Sequence, residues 1–186
     1  MTTPYKRKKQ PEKVRSMLIE CAARIAAEQG PGGLTIQAVA DAAGVTKGGL
    51  LHHFRDKKQL VESVFKDFLT KLDEEIDQLI EQDPVAYGRF TRAYIAVALQ
   101  NIAPQREADM WKAFSLCALT EPQFRILWNE WIHARLALHQ ETDHDPALHI
   151  ARYAFDGVWS ANLMGAISSE EYFALLEQLV EMTHPQ

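Results

Sequence analysis

Residues 35–54 read TIQAVADAAGVTKGGLLHHF, and their order of small, apolar and polar residues describes two short helices around a tight turn. Thr35 is a natural N-cap for a helix running to about Ala43, and Thr46 for a second running to about Phe54. Crossing two helices this closely needs a small residue in the first, which Ala40 supplies. A residue tolerant of positive φ must follow four positions later, and Gly44 stands there. Val45, Leu50 and Phe54 then point inward and pin the second helix. Thr46, Lys47, Gly48, Gly49, His52 and His53 are left on its outward face. A helix-turn-helix of this kind lays its second helix in the DNA major groove. Two consecutive glycines cost roughly 1 kcal/mol each relative to alanine inside a helix; close approach of the backbone to DNA is the compensation the sequence suggests.

Helical spacing extends outward from this stretch in both directions. Val14, Met17, Leu18, Cys21, Ala22 and Ile25 recur at i, i+3, i+4 and mark one amphipathic helix, ended by Gly30 and Pro31. A long helix is expected from Lys57 to about Gln82, with Val61, Val64, Phe65, Phe68, Leu72, Ile76 and Leu79 on its inner side. Pro84, Pro104, Pro122 and Pro146 fall near the starts of four further segments, where a missing N–H does little harm. A last helix runs from about Ser169 to Thr183, and no period-2 strand with hairpin chemistry appears. The expected fold is all-α, about nine helices. Residues 1–56 are expected to form a helix-turn-helix domain with a basic N-terminal arm at Lys6–Lys9, and 57–186 a second helical domain, for which ligand binding and dimerisation are the expected roles.

The charge divides along the same line. The chain has 186 residues and a net charge of -5. Residues 1–60 hold eleven Lys and Arg against five Asp and Glu, whereas residues 61–186 hold nine against twenty. Such asymmetry suggests a polyanion-binding segment attached to something else. Two cysteines, Cys21 and Cys117, argue against a disulfide scaffold and suit a reducing compartment. No apolar run approaches the ~18–20 residues of a membrane span, and the basic N-terminus has no apolar segment behind it. The expectation is a cytoplasmic protein without a membrane partner.

From Val14 to Phe65 the sequence resembles the DNA-binding domain of the tetracycline-repressor family of bacterial regulators. The resemblance rests on the amphipathic first helix, the stretch LTIQAVADAAGVTKGGLLHHF and the Lys-Lys-x-Leu opening at Lys57–Leu60. It implies phosphate contacts from Thr35, Gln37, Thr46, His53 and Lys58, and base-edge contacts from Lys47, Gly48 and His52. Hydroxyls, amides and lysines suit phosphate oxygens, and a lysine can reach guanine O6 and N7. Members commonly carry aromatic residues where Leu51 and His52 stand, and a tyrosine there touches a phosphate. Leu51 cannot donate a hydrogen bond, so that contact moves to His52, His53 or the lysines. Lys57 and Lys58 would oppose the dipole at a helix N-terminus unless an anion lies there, which favours a phosphate. The resemblance further implies a double-stranded DNA operator and a small-molecule effector as partners.

The C-terminal half suggests a dimer and a pocket. The segment from Pro146 to Ile167 is apolar nearly all round, and Tyr172, Phe173, Leu175, Leu176, Leu179, Val180 and Met182 span more than one face of the last helix. Pairing both helices with a second copy would cover them, as the resemblance also implies, with Val158, Tyr172, Leu176 and Leu179 at the interface. All four tryptophans lie between residues 111 and 159. Trp111, Phe114, Trp128, Trp131 and Trp159 are candidate pocket walls, with Asp156 as the polar group. An interior carboxylate needs a partner: either Arg152 one turn earlier, or a ligand's cation or hydrogen-bond donor.

One run could belong to an enzyme. HQETDHDPALH, residues 139–149, gathers His139, Asp143, His144 and Asp145 and is the only place for a small all-helical metal hydrolase. The cluster spans a loop bracketed by Pro146, with no HExxH and no ligand pair on a second helix. A polar inter-helix loop is the preferred reading, with no metal, no cofactor and no catalytic residue expected.

Overall fold

The computed structural model describes residues 4–100, 114 and 118–185. Among them there is no strand, so the all-α expectation holds. Nine helices have both ends described: α1 (Pro4–Gly33), α2 (Ile36–Ala42), α3 (Lys47–His53), α4 (Lys57–Gln82), α5 (Arg89–Gln100), α6 (Pro122–Leu138), α7 (Gln140–Asp143), α8 (Pro146–Leu163) and α9 (Ser169–Met182). Phe114 and residues 118–120 are helical as well. Lys6–Lys9, expected as an arm, belong to α1.

The described residues form two compact units, one of 4–69 with 114 and 118–127, the other of 70–100 and 128–185. The division does not follow the expected boundary after residue 56. It falls inside α4 and near the middle of α6, because each of these helices contributes residues to both units.

In the first unit, α1 buries Leu18, Ala22 and Ile25 of the expected series, with Ala26 beside them, while Val14, Met17 and Cys21 are half-buried; the helix packs on α2 and α3. Gly30, at φ 70°, breaks its regular geometry where the sequence places the end. Phe65 and Phe68 of α4 meet Phe114 and Phe124 at ring separations of 4.8–5.7 Å. Four aromatic rings in edge-on and tilted contact close this part of the core.

The second unit is organised around α5, whose residues Phe90–Ile95 are all buried. Its free N-terminal amides are satisfied from a distance. Asp143, buried at the end of α7, accepts from the backbone N–H of Phe90 (3.3 Å) and Thr91 (2.8 Å) and from the Thr91 hydroxyl (2.6 Å). Arg92 is equally committed: it pairs with Asp83 and donates to the carbonyls of Val85, Tyr87 and Thr183, tying the loop before α5 to the end of α9. Gly88 fits between these elements at φ 70°, where a Cβ would lie 2.6 Å from the Thr183 carbonyl oxygen. Only glycine satisfies both conditions there.

Candidate nucleic-acid interface

The turn between α2 and α3 is built as the sequence requires. The Thr35 hydroxyl accepts from the Ala38 N–H at 3.1 Å and the Thr46 hydroxyl from the Gly49 N–H at 3.0 Å. Each hydroxyl keeps its own proton for an outside acceptor. Gly44 has φ 66°, and the Val45 N–H donates to the Ala40 carbonyl at 3.0 Å, closing the reversal. Ala40, Leu50 and Phe54 are fully buried, while Val45 is half-buried and pins α3 less than expected. The guanidinium of Arg15 lies 4.9 Å over the Phe54 ring and donates to Ser63 Oγ, so α1 and α4 both hold the end of α3.

The outward residues follow from that anchoring. Thr35, Gln37, Thr46, Lys47, Gly48, His52, Lys57 and Lys58 are exposed; Gly49 and His53 are half-buried. Helical spacing places Lys47, Gly48, Leu51 and His52 on one side of α3. The rings of His52 and His53 meet edge-on at 5.6 Å. Gln37 is tied along α2, its Nε2 donating to Asp41 at 2.8 Å.

The start of α4 departs from the expectation. Asp56 accepts from the Gln59 N–H at 2.8 Å, and Gln59 accepts in return from the Arg55 N–H at 2.6 Å. This reciprocal cap holds the Asp56 carboxyl below its usual range, chiefly through the Gln59 hydrogen bond. Asp56 is therefore the anion that balances Lys57 and Lys58 at this helix end. The lysines remain exposed and free to meet a phosphate, but the helix dipole does not demand one.

The expected ligand residues that are described are divided between the two units. Trp111 lies outside the described residues. Phe114 is buried in the aromatic core of the first unit. Trp128, Trp131, Asp156 and Trp159 belong to the second. There the Trp131 ring meets that of Trp128 at 4.9 Å, tilted by 41°, and donates its indole N–H to Asp73 at 2.8 Å. Asp156 does not bond to Arg152, one of its two expected partners: the Tyr94 hydroxyl donates to it at 3.2 Å, while Arg152 donates to Thr91 and lies 4.0 Å from Asp143. Asp156 is exposed as a residue, yet lost hydration raises its carboxyl pKa, against the pull of Tyr94 and Arg152.

The expected dimer residues are corrected in the same way. Tyr172, Leu176 and Leu179 are at most 7% exposed inside the protomer's own core, and Val158 is half-buried. They face α5 and α8 because those helices pack on α9. The outer face of α9 carries Glu170, Glu177 and Glu181, whereas Ile150, Tyr153, Gly157 and Met164 form an exposed, mostly apolar stripe along α8.

The His/Asp run also has structural duties. Asp143 anchors α5, Asp145 caps α8 by accepting from the Ala147 N–H, and His139 is buried with its ring parallel to Phe90 at 5.1 Å. Among the described residues no three His, Cys, Asp or Glu side chains are grouped to hold a metal. Nothing supports the hydrolase alternative. The reach of Asp143 and Arg92 across the chain, by contrast, leaves no local sequence signal.

Residues 18–64 match the bacterial regulatory proteins of the tetR family, and residues 88–184 the Tetracyclin repressor-like, C-terminal domain. The chain is 40% identical over 124 residues to the HTH-type transcriptional repressor KstR2 of Rhodococcus jostii, a stretch covering 61% of each. With KstR2 of Mycolicibacterium smegmatis it shares 34% over 87 residues, 47% of this chain and 42% of the other. The matches thus span about half the length of these curated relatives. Among solved structures it resembles the multidrug binding protein EbrR complexed with malachite green, with a TM-score of 0.70 at 19% identity, covering 92% of this chain and 98% of that one. No described helix is long and apolar enough to cross a membrane.

Proposed function

Because the chain belongs to the tetracycline-repressor family of bacterial regulatory proteins, we propose that it is a homodimeric transcriptional repressor, released from a palindromic operator by a small lipophilic molecule. The observation that carries this reading is the α3 face of Lys47, Gly48 and His52, held outward over the buried Ala40, Leu50 and Phe54. Two copies related by a two-fold axis place their reading helices about one DNA turn apart, ~34–36 Å. Lys47 and His52 read base edges, while Thr35, Thr46, His53 and Lys58 hold phosphates. A ligand that prefers a different spacing of those helices shifts the population and releases DNA; a differential affinity of about 1–3 kcal/mol suffices.

The effector we assign is a lipophilic cation. EbrR, which shares the fold, is a multidrug binding protein complexed with malachite green. In this chain Asp156 carries a carboxylate that Arg152 does not neutralise directly, and Trp131, Trp159 and Tyr94 lie in the same unit. Aromatic faces and a carboxylate suit such a ligand. The test starts from a duplex that the purified protein selects out of fragmented genomic DNA. Titration with malachite green and other cationic dyes, beside neutral and anionic aromatic compounds, quenches tryptophan fluorescence and releases the duplex for the cations. Asp156→Asn weakens that response at least fivefold. Stronger responses to neutral or anionic compounds, or an unchanged Asp156→Asn, contradict the cation assignment; failure to select any DNA contradicts the repressor.

A further inference from the structure

Leu51 is the member of the reading face that hydrogen-bond chemistry leaves without a role. It is 40% exposed, although it lies between the fully buried Leu50 and the exposed His52. An isolated exposed leucine is ordinary on a protein surface; this one shares its side of a short helix with Lys47, Gly48 and His52. One turn earlier, the position of Gly48 is open: a Cβ there would meet nothing nearer than the Thr46 hydroxyl at 4.0 Å. With no side chain at Gly48, the next long side chain on that face, three residues further on, projects farthest toward anything that lies against α3. The segment is the cationic part of the chain, so a polyanion is the occupant that its charge fits.

A branched apolar side chain has one complement on the floor of a major groove. Each base pair there presents donors and acceptors, and only thymine adds a methyl group, at C5. We propose that Leu51 is a specificity-determining residue that selects thymine through apolar contact with its 5-methyl group, at one position in each half-site. The inference rests on the DNA-binding reading above and adds a base preference to it. Lys47 and His52, on either side, supply the polar contacts that a leucine cannot make.

The test alters the DNA and leaves the protein untouched. A duplex selected by the wild-type protein from a random-sequence pool is remade with each thymine replaced singly by uracil, which removes only the 5-methyl group. At one position in each half-site, the single replacement weakens wild-type binding about fourfold, the factor for one buried methyl-sized group. Leu51→Ala, at a position exposed enough to leave the fold intact, binds the thymine and uracil duplexes alike. It also loses the thymine preference when carried through the same selection. If no uracil replacement weakens binding, or if the sensitivity persists in Leu51→Ala, the assignment is wrong. If the wild-type protein retains no duplex from the pool, the DNA-binding reading itself falls, and this inference with it.

Discussion

Gly48 separates two reasons for a glycine more cleanly than any other position. It lies in helical geometry with open space at its missing Cβ, so the free protein gives no reason to avoid alanine. Gly48→Ala should raise the melting temperature, by up to about 1 kcal/mol of helix preference. DNA binding should weaken at least tenfold, because the added methyl faces the groove. A stabilised variant with unchanged affinity would remove Gly48 from the interface. His139 offers a second test at this scale. Burial, then the Arg135 charge, lower its pKa, and its Nε2 has no hydrogen-bond partner among the described residues. The unfolded chain therefore takes up a proton below about pH 6.5 that the folded chain resists. Stability from this group is present above that pH and declines as the pH falls. His139→Phe keeps a ring against Phe90 and should flatten the fall in denaturation midpoint between pH 7 and 5. An equal fall in variant and wild type would refute the assignment.

At the scale of elements, spacing told most where one face of a helix was plainly apolar. On the expected inner face of α4, Val64, Phe65, Phe68, Leu72 and Ile76 are buried and Val61 and Leu79 half-buried, and the caps of α2 and α3 follow from Thr35 and Thr46. Spacing told least where a helix was apolar on several sides. For α8 and α9 the sequence could not say which face the protomer keeps for itself. The structure gives Leu176 and Tyr172 to the core and leaves Ile150 and Tyr153 of α8 outside, at 65% and 76% exposure. The dimer surface we propose is accordingly the α8 stripe, since the glutamates on the outer side of α9 would repel their own copies. Ile150→Glu and Tyr153→Glu should remain folded by circular dichroism, elute as monomers by light scattering and bind operator at least tenfold more weakly. Leu176→Glu should fail to fold, because it places an unpaired charge in the core. Folded dimers from both α8 variants would put the interface elsewhere.

For the whole molecule, the contrast between a cationic first third and an acidic remainder was visible in the placement of charges along the chain, and the all-helical class in the helical spacing of the apolar residues. The division into units was not, because α4 and α6 each serve two cores and no change of composition marks the point of transfer. Nor were the long-range ties: Asp143 lies 52 residues from Thr91 and Arg92 lies 91 from Thr183, and no periodic pattern records such distances. The central claim, that the cationic segment grips DNA through α2, α3 and the start of α4, is tested most directly by salt. The measurement is the dissociation constant for the selected duplex between 50 and 200 mM monovalent salt, for wild type, Lys58→Ala and Lys47→Ala. With Lys57 and Lys58 of each protomer on phosphates, wild-type affinity should fall about a hundredfold over that range. Lys58→Ala should bind all sequences more weakly and reduce the slope, whereas Lys47→Ala should also relax the preference for the selected sequence. An affinity independent of salt, or lysine variants that leave both slope and preference unchanged, would contradict the account.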